Sequence, residues 1–153
     1  MSARLVTLLR GILILGIIGS GVIQLRFAIG ILFFGTEALL ARIALTLCIV
    51  IGLGCLQFAA VCIWKLLNLV NADAVFSPNA IRWVNRIIDA IFGFAACILV
   101  AGYVVAEVDD APGLIFVAFL AALLVCGVAL IVYVQRTLLI KATGFSADLE
   151  GVI

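Results

Sequence analysis

Five cysteines are the residues of this chain best suited to chemistry, and three of them, Cys48, Cys55 and Cys62, recur every seven residues. Seven residues is close to two helical turns, so on a helix these thiols lie near one face. Thiolates can ligate metals or exchange disulfides, yet the sequence holds no CxxC pair. Cys97 and Cys126 stand apart in later apolar runs. Their expected role is that of small hydrophobes that let helices approach closely. Histidine is absent, which removes His-based triads, His metal ligands and axial haem ligation. No P-loop, GxGxxG or HExxH pattern occurs either. The expectation is a protein that is not an enzyme, with no catalytic residue, cofactor or metal.

The acidic residues Asp109 and Asp110 open the run Asp109-Asp110-Ala111-Pro112-Gly113. Two adjacent carboxylates make a poor cation cage, because hard cations take six or more oxygens from several positions. Pro and Gly at the mouth of an apolar run instead predict a tight turn between two helices. Gln24, Thr46 and Gln57 are the few strongly polar groups inside apolar stretches, too sparse to outline an ion path.

The elements that carry these residues follow from composition. Apolar residues make up 68% of the chain and charged residues 11%, with a mean hydropathy of +1.48. Soluble domains have about 45–50% apolar and about 25% charged residues. A domain of 153 residues has too little interior to hide the excess, so lipid is its solvent. Charges mark the spans: 22 uncharged residues separate Arg42 from Lys65, 17 separate Asp89 from Glu107, and 25 separate Asp110 from Arg136. The expected fold is all-α, a single transmembrane domain built as an integral membrane four-helix bundle. Its spans fall at about 5–25, 43–64, 88–106 and 112–135, with a linker at 65–87 and a tail at 136–153. Gly16 with Ser20, Gly52 with Gly54, and Ala118 with Ala122 supply small residues for helix packing.

The first span is the least tidy. One reading ends it near Leu25, with Arg10 and Arg26 snorkelling to the two interfaces and residues 27–36 forming an outer loop or interfacial segment. The other continues the helix toward Phe34. A cleaved leader is disfavoured, because no A-x-A-like site precedes a polar start.

Basic residues are retained on the cytoplasmic side of a membrane. With the N-terminus inside, Arg4, Arg10, Lys65, Arg82, Arg86, Arg136 and Lys141 all lie inside, seven of the nine cations. The connection from Glu107 to Asp110 carries three acids and no base. Both termini and the linker are therefore expected in the cytoplasm, and the protein in the plasma membrane as a multi-pass chain.

Within the linker, Phe76-Ser77-Pro78 reads as a helix start. Ser77 can cap, Pro78 suits the first helical position, and Phe76 with Ile81 can form a hydrophobic staple. Arg82, Arg86 and Asp89 then share one helical face. That face is either a solvated helix entrance or a docking surface for a cytoplasmic partner.

The order Asn71-Ala72-Asp73-Ala74-Val75-Phe76-Ser77 before a helix, followed by Asp109-Asp110-Ala111-Pro112-Gly113 before the last span, resembles the bacterial membrane proteins called "domain of unknown function 2975". The tail Ala147-Asp148-Leu149-Glu150-Gly151-Val152-Ile153 is similar to the acidic, leucine-bearing tail of that family. The resemblance runs from about residue 66 to the end, and covers the first half only by hydropathy. It implies a four-helix membrane protein without a known activity. It also implies a partner, since members are often encoded beside a small helix-turn-helix regulator of the Xre type. Such a regulator would bind at the cytoplasmic face, through Phe76, Ser77, Arg82 and Arg86 of the linker and Asp148, Leu149 and Glu150 of the tail. The alternative is a small transporter or a stress- or toxin-immunity membrane protein. Expected partners are thus the lipid bilayer, a helix-turn-helix regulator and a second copy of the chain in a homo-oligomer, with no direct nucleic acid binding.

Overall fold

The computed structural model describes residues 3–35, 38–71 and 78–150, and these form four α-helices. They are α1 (Ala3–Phe34), α2 (Leu39–Asn71), α3 (Pro78–Val108) and α4 (Gly113–Glu150). Helix is the only open-ended solution in lipid, because each backbone N–H and C=O must find its partner within the segment. All four helices are long and apolar enough to cross a membrane, over Val6–Phe33, Leu39–Val70, Asn79–Val108 and Gly113–Ala142.

The helices outrun the bilayer. A hydrocarbon core of about 30 Å takes roughly 20 helical residues, whereas α1 has 32, α2 33, α3 31 and α4 38. Residues 27–34, one reading of which made them an outer loop, belong to α1. The reason is that Phe27, Ala28, Ile29, Ile31 and Leu32 continue the apolar run unbroken, and Arg42 supplies the cap that ends it. The linker is likewise mostly helical: α2 continues past Lys65 to Asn71, and α3 begins at Pro78. The helix start therefore falls where the proline placed it, while Phe76 and Ser77 lie outside the described residues. The tail is not a separate element, since α4 runs through Arg136 to Glu150.

Backbone packing joins α1 to α2, α2 to α3 and α3 to α4, and no other pair of helices meets among the described residues. Each pair is antiparallel. Arg10 meets Asn68 near one end of the α1–α2 seam and Arg42 meets Ile31 at the other. Gly102 meets Ala118 across α3 and α4.

Large side chains point outward and small ones inward. Leu8, Leu15, Leu40, Phe116 and Leu124 are among many large exposed hydrophobics, as lipid-facing surface requires. The buried set is dominated by Ala59, Ala80, Ala90, Ala95, Ala106, Ala118, Ala122, Ala129 and Cys62. Lipid tails are as apolar as leucine, so helices gain little by hiding large side chains and associate instead through close backbone approach.

The expected turn between α3 and α4 is present and has a specific geometry. Asp110 adopts φ 50°, the left-handed conformation. The Ala111 amide donates to the Ala106 carbonyl at 3.0 Å, and the Asp109 amide to Val105 at 2.9 Å. A left-handed residue followed by a six-to-one bond is the Schellman ending of a helix, with Asp110 where glycine commonly sits. Aspartate tolerates that region better than most residues. Pro112 then precedes Gly113, the first residue of α4.

Candidate functional site

Polar side chains gather at two levels of the bundle, at its basic end and at mid-depth. At the basic end, three arginines lie over aromatic rings. Arg10 of α1 sits 5.6 Å from the ring centre of Trp64 on α2 and donates from Nη2 to Asn68 Oδ1 at 2.7 Å. Arg86 lies 4.9 Å from Trp83, and Arg136 of α4 5.7 Å from Tyr133. Both tryptophans of the chain are in this layer. Amphipathic rings collect where hydrocarbon meets headgroups, and guanidinium on a ring face is attracted by the ring quadrupole.

Between α3 and α4 this layer opens into a polar cavity of about 250 Å³ lined by Asn85, Ile88, Asp89, Tyr133 and Arg136. On the α2 side, Asp89 and Arg86 border a second cavity of about 410 Å³ with Ile51, Gly54, Cys55 and Phe58. Arg82, Arg86 and Asp89 are all exposed along one side of α3, as their spacing predicts, while Val84, Ile87, Ile88 and Ala90 are buried on the other. The Nε of Arg136 is buried and has no hydrogen-bond partner among the described residues.

At mid-depth, α1 and α2 are tied by amides. Gln57 Nε2 donates to Ser20 Oγ at 3.2 Å and to Gln24 Oε1 at 3.1 Å. Gln24 Nε2 donates onward to the Val50 carbonyl at 3.0 Å, and Ser20 Oγ to the Ile17 carbonyl at 3.0 Å. Polar groups facing each other across helices in lipid act as glue. Thr46 does not join them, because its hydroxyl donates to the Arg42 carbonyl of its own helix at 2.8 Å.

Four of the five cysteines, Cys48, Cys55, Cys62 and Cys97, belong to α2 and α3, while Cys126 is on α4. Cys62 is fully buried, and the Cys55 sulfur stands 3.2 Å from where a Cβ on Gly93 would be. Cys48 and Cys97 line an apolar cleft of about 310 Å³ with Phe27, Gly52 and Phe94. No group of three or more His, Cys, Asp or Glu side chains able to hold a metal forms among the described residues.

Of the residues expected to dock a partner, Arg82 and Arg86 share an exposed face of α3. Phe76 and Ser77 lie outside the described residues, and of Asp148, Leu149 and Glu150 only the helical backbone of α4 is described. Asp109, Asp110, Ala111, Pro112 and Gly113 are at the opposite end, in the turn. The charge pattern alone does not single out Trp64, Trp83, Tyr133 or Asn85. The available signal was the placement of aromatics beside the basic residues that flank spans 2, 3 and 4.

Comparison with known proteins returns no match among curated proteins and none among solved structures. A family model, "Protein of unknown function (DUF2975)", matches residues 33–153. The match takes in all of α2 as well as the half that carries the motifs. With four apolar helices and a match over most of its length, the chain is a multi-pass membrane protein belonging to the DUF2975 family.

Proposed function

We propose that the protein is a non-enzymatic plasma-membrane partner that holds a small Xre-type helix-turn-helix transcription regulator at its cytoplasmic face. The basic, aromatic end of the bundle is that face, with both termini on it. The observation that carries the reading is the length of α4. Its 38 residues span about 57 Å at 1.5 Å per residue, well beyond a hydrocarbon core of about 30 Å. Because Gly113 lies in the turn at the acidic end, the excess projects from the basic end. Leu138 and Lys141 are exposed at the start of that projection, and Arg82 and Arg86 are exposed at the same end of α3. A rigid helix offering apolar and charged groups beyond the membrane suits capture of a helical partner.

The test is co-purification of a small Xre-type helix-turn-helix regulator with three forms of the protein. The intact chain is expected to retain it. A chain ended after Lys141, and the pair Arg82→Glu with Arg86→Glu, are expected to lose it. Equal retention by all three forms would overturn the reading.

The second reading, a small transporter or a stress- or toxin-immunity protein, draws on the mid-depth cluster of Ser20, Gln24 and Gln57. Such a protein needs polar groups within the bilayer. Here most of their bonding capacity is spent on one another and on backbone carbonyls, which favours the first reading.

A further inference from the structure

We propose that the cavity between α3 and α4, lined by Asn85, Asp89, Tyr133 and Arg136, is a binding site for the zwitterionic headgroup of phosphatidylethanolamine in the membrane leaflet at the basic end. Depth comes first. Measured along the helices from the Asp109–Asp110 turn, Asp89 on α3 and Tyr133 on α4 each lie about 30 Å away, the thickness of the hydrocarbon core. The cavity thus opens at the boundary between acyl chains and headgroups. Arg86 and Arg136 sit one turn further out, among the phosphates.

Charge comes second. Arg136 is partly buried, lies against Tyr133 and has its Nε buried without a hydrogen-bond partner. A guanidinium that lines the cavity at this depth suits a lipid phosphate, which accepts charge-assisted hydrogen bonds from its Nη groups. Purely basic pockets of this kind select anionic lipids. This one differs by its carboxylate. Asp89 lines the same cavity, is exposed and makes no ion pair among the described residues. An ionised carboxylate at the edge of hydrocarbon requires a cation. Phosphatidylethanolamine brings both partners on one headgroup: its phosphate for Arg136 and its primary ammonium, with three N–H donors, for Asp89. Phosphatidylglycerol offers no cation, and phosphatidylcholine offers one without N–H donors.

The experiment uses the full chain purified in mild detergent and offered equal amounts of phosphatidylethanolamine, phosphatidylglycerol and phosphatidylcholine with identical acyl chains. Bound lipid is read by native mass spectrometry. The natural protein is expected to retain phosphatidylethanolamine about tenfold over the other two, the worth of one charge-assisted hydrogen bond. Asp89→Asn should bring phosphatidylethanolamine down to the level of phosphatidylglycerol, and Asp89→Glu should restore most of the preference. Arg136→Gln should lower retention of all three. Equal retention of the three lipids by the natural protein, or an unchanged preference in Asp89→Asn, overturns the proposal. Soluble phosphoethanolamine at the same concentration is expected not to displace the lipid. Displacement would overturn the assignment to a membrane lipid.

Discussion

Gly102 of α3 packs so tightly on Ala118 of α4 that a methyl group at position 102 would overlap the Ala118 Cβ. The two backbones meet here because Gly102 has no side chain and Ala118 only a methyl group to hold them apart. Gly102→Ala is therefore expected to push α3 from α4 and cost about 1–3 kcal/mol, the usual penalty of overpacking. Ala118→Gly in the same chain should recover most of the loss. Reversible unfolding in mixed micelles checks both, and an undiminished midpoint for Gly102→Ala would show that the seam is looser than described.

Arg42 explains why a cation stands at the acidic end, against the general charge pattern. Its Nε donates to the Ile31 carbonyl at 3.0 Å and its Nη2 to the Leu32 carbonyl. Both carbonyls belong to the last turn of α1, where the Ile31 oxygen also accepts from the Gly35 amide at 3.3 Å, and a cation there faces the negative end of the helix dipole. Arg42→Ala should cost about 1–2 kcal/mol. Its signature is faster hydrogen exchange at the amides of the last turn of α1. Arg42→Lys should recover part of the effect, because an ammonium keeps the charge but lacks the fork that reaches two carbonyls.

Gln57 is the hub of the mid-depth contacts. Interhelical hydrogen bonds in membranes average about 0.6 kcal/mol, so Gln57→Leu should cost about 1 kcal/mol. A double-mutant cycle with Gln24→Leu should show coupling of about 0.5 kcal/mol. If Gln57→Leu instead left stability unchanged and abolished the protein's cellular effect, the transporter or immunity reading would displace the regulator reading.

Asp110 holds a conformation that glycine adopts without cost. Asp110→Gly is expected to stabilise the α3–α4 hairpin by about 0.5–1 kcal/mol, and Asp110→Val to destabilise it by about 1–2 kcal/mol. Thermal unfolding of the two variants side by side decides this. Destabilisation by glycine would mean that the carboxylate itself contributes to the turn.

Orientation is read with added thiols. The natural cysteines lie within the spans, so an impermeant maleimide applied to intact cells reports on a new one. Asp109→Cys should label from outside, and Lys141→Cys only after the membrane is opened. The reverse pattern would place the basic end outside.

The membrane itself, the number of helices and the sorting of charges between two ends were legible in residue types and their order. Those are one-dimensional properties: a bilayer of fixed thickness reads apolar length and the position of each cation. Pro78 marked the start of α3, and the Asp109-to-Gly113 run its turn into α4, because proline and left-handed residues act on their own backbone. Where α1 ends was not legible locally, since it depends on Arg42 reaching back from the next helix. Nor could the spacing of Gln24, Gln57 and Ser20 show that they bond to one another, or the charge pattern place Asp89 opposite Arg136. Those relationships depend on the register of neighbouring helices, which is set by where small residues such as Gly52, Gly93, Gly102 and Ala118 let backbones touch. Residue order determined which groups sit at each depth of the membrane, and tertiary packing decided which of them face each other.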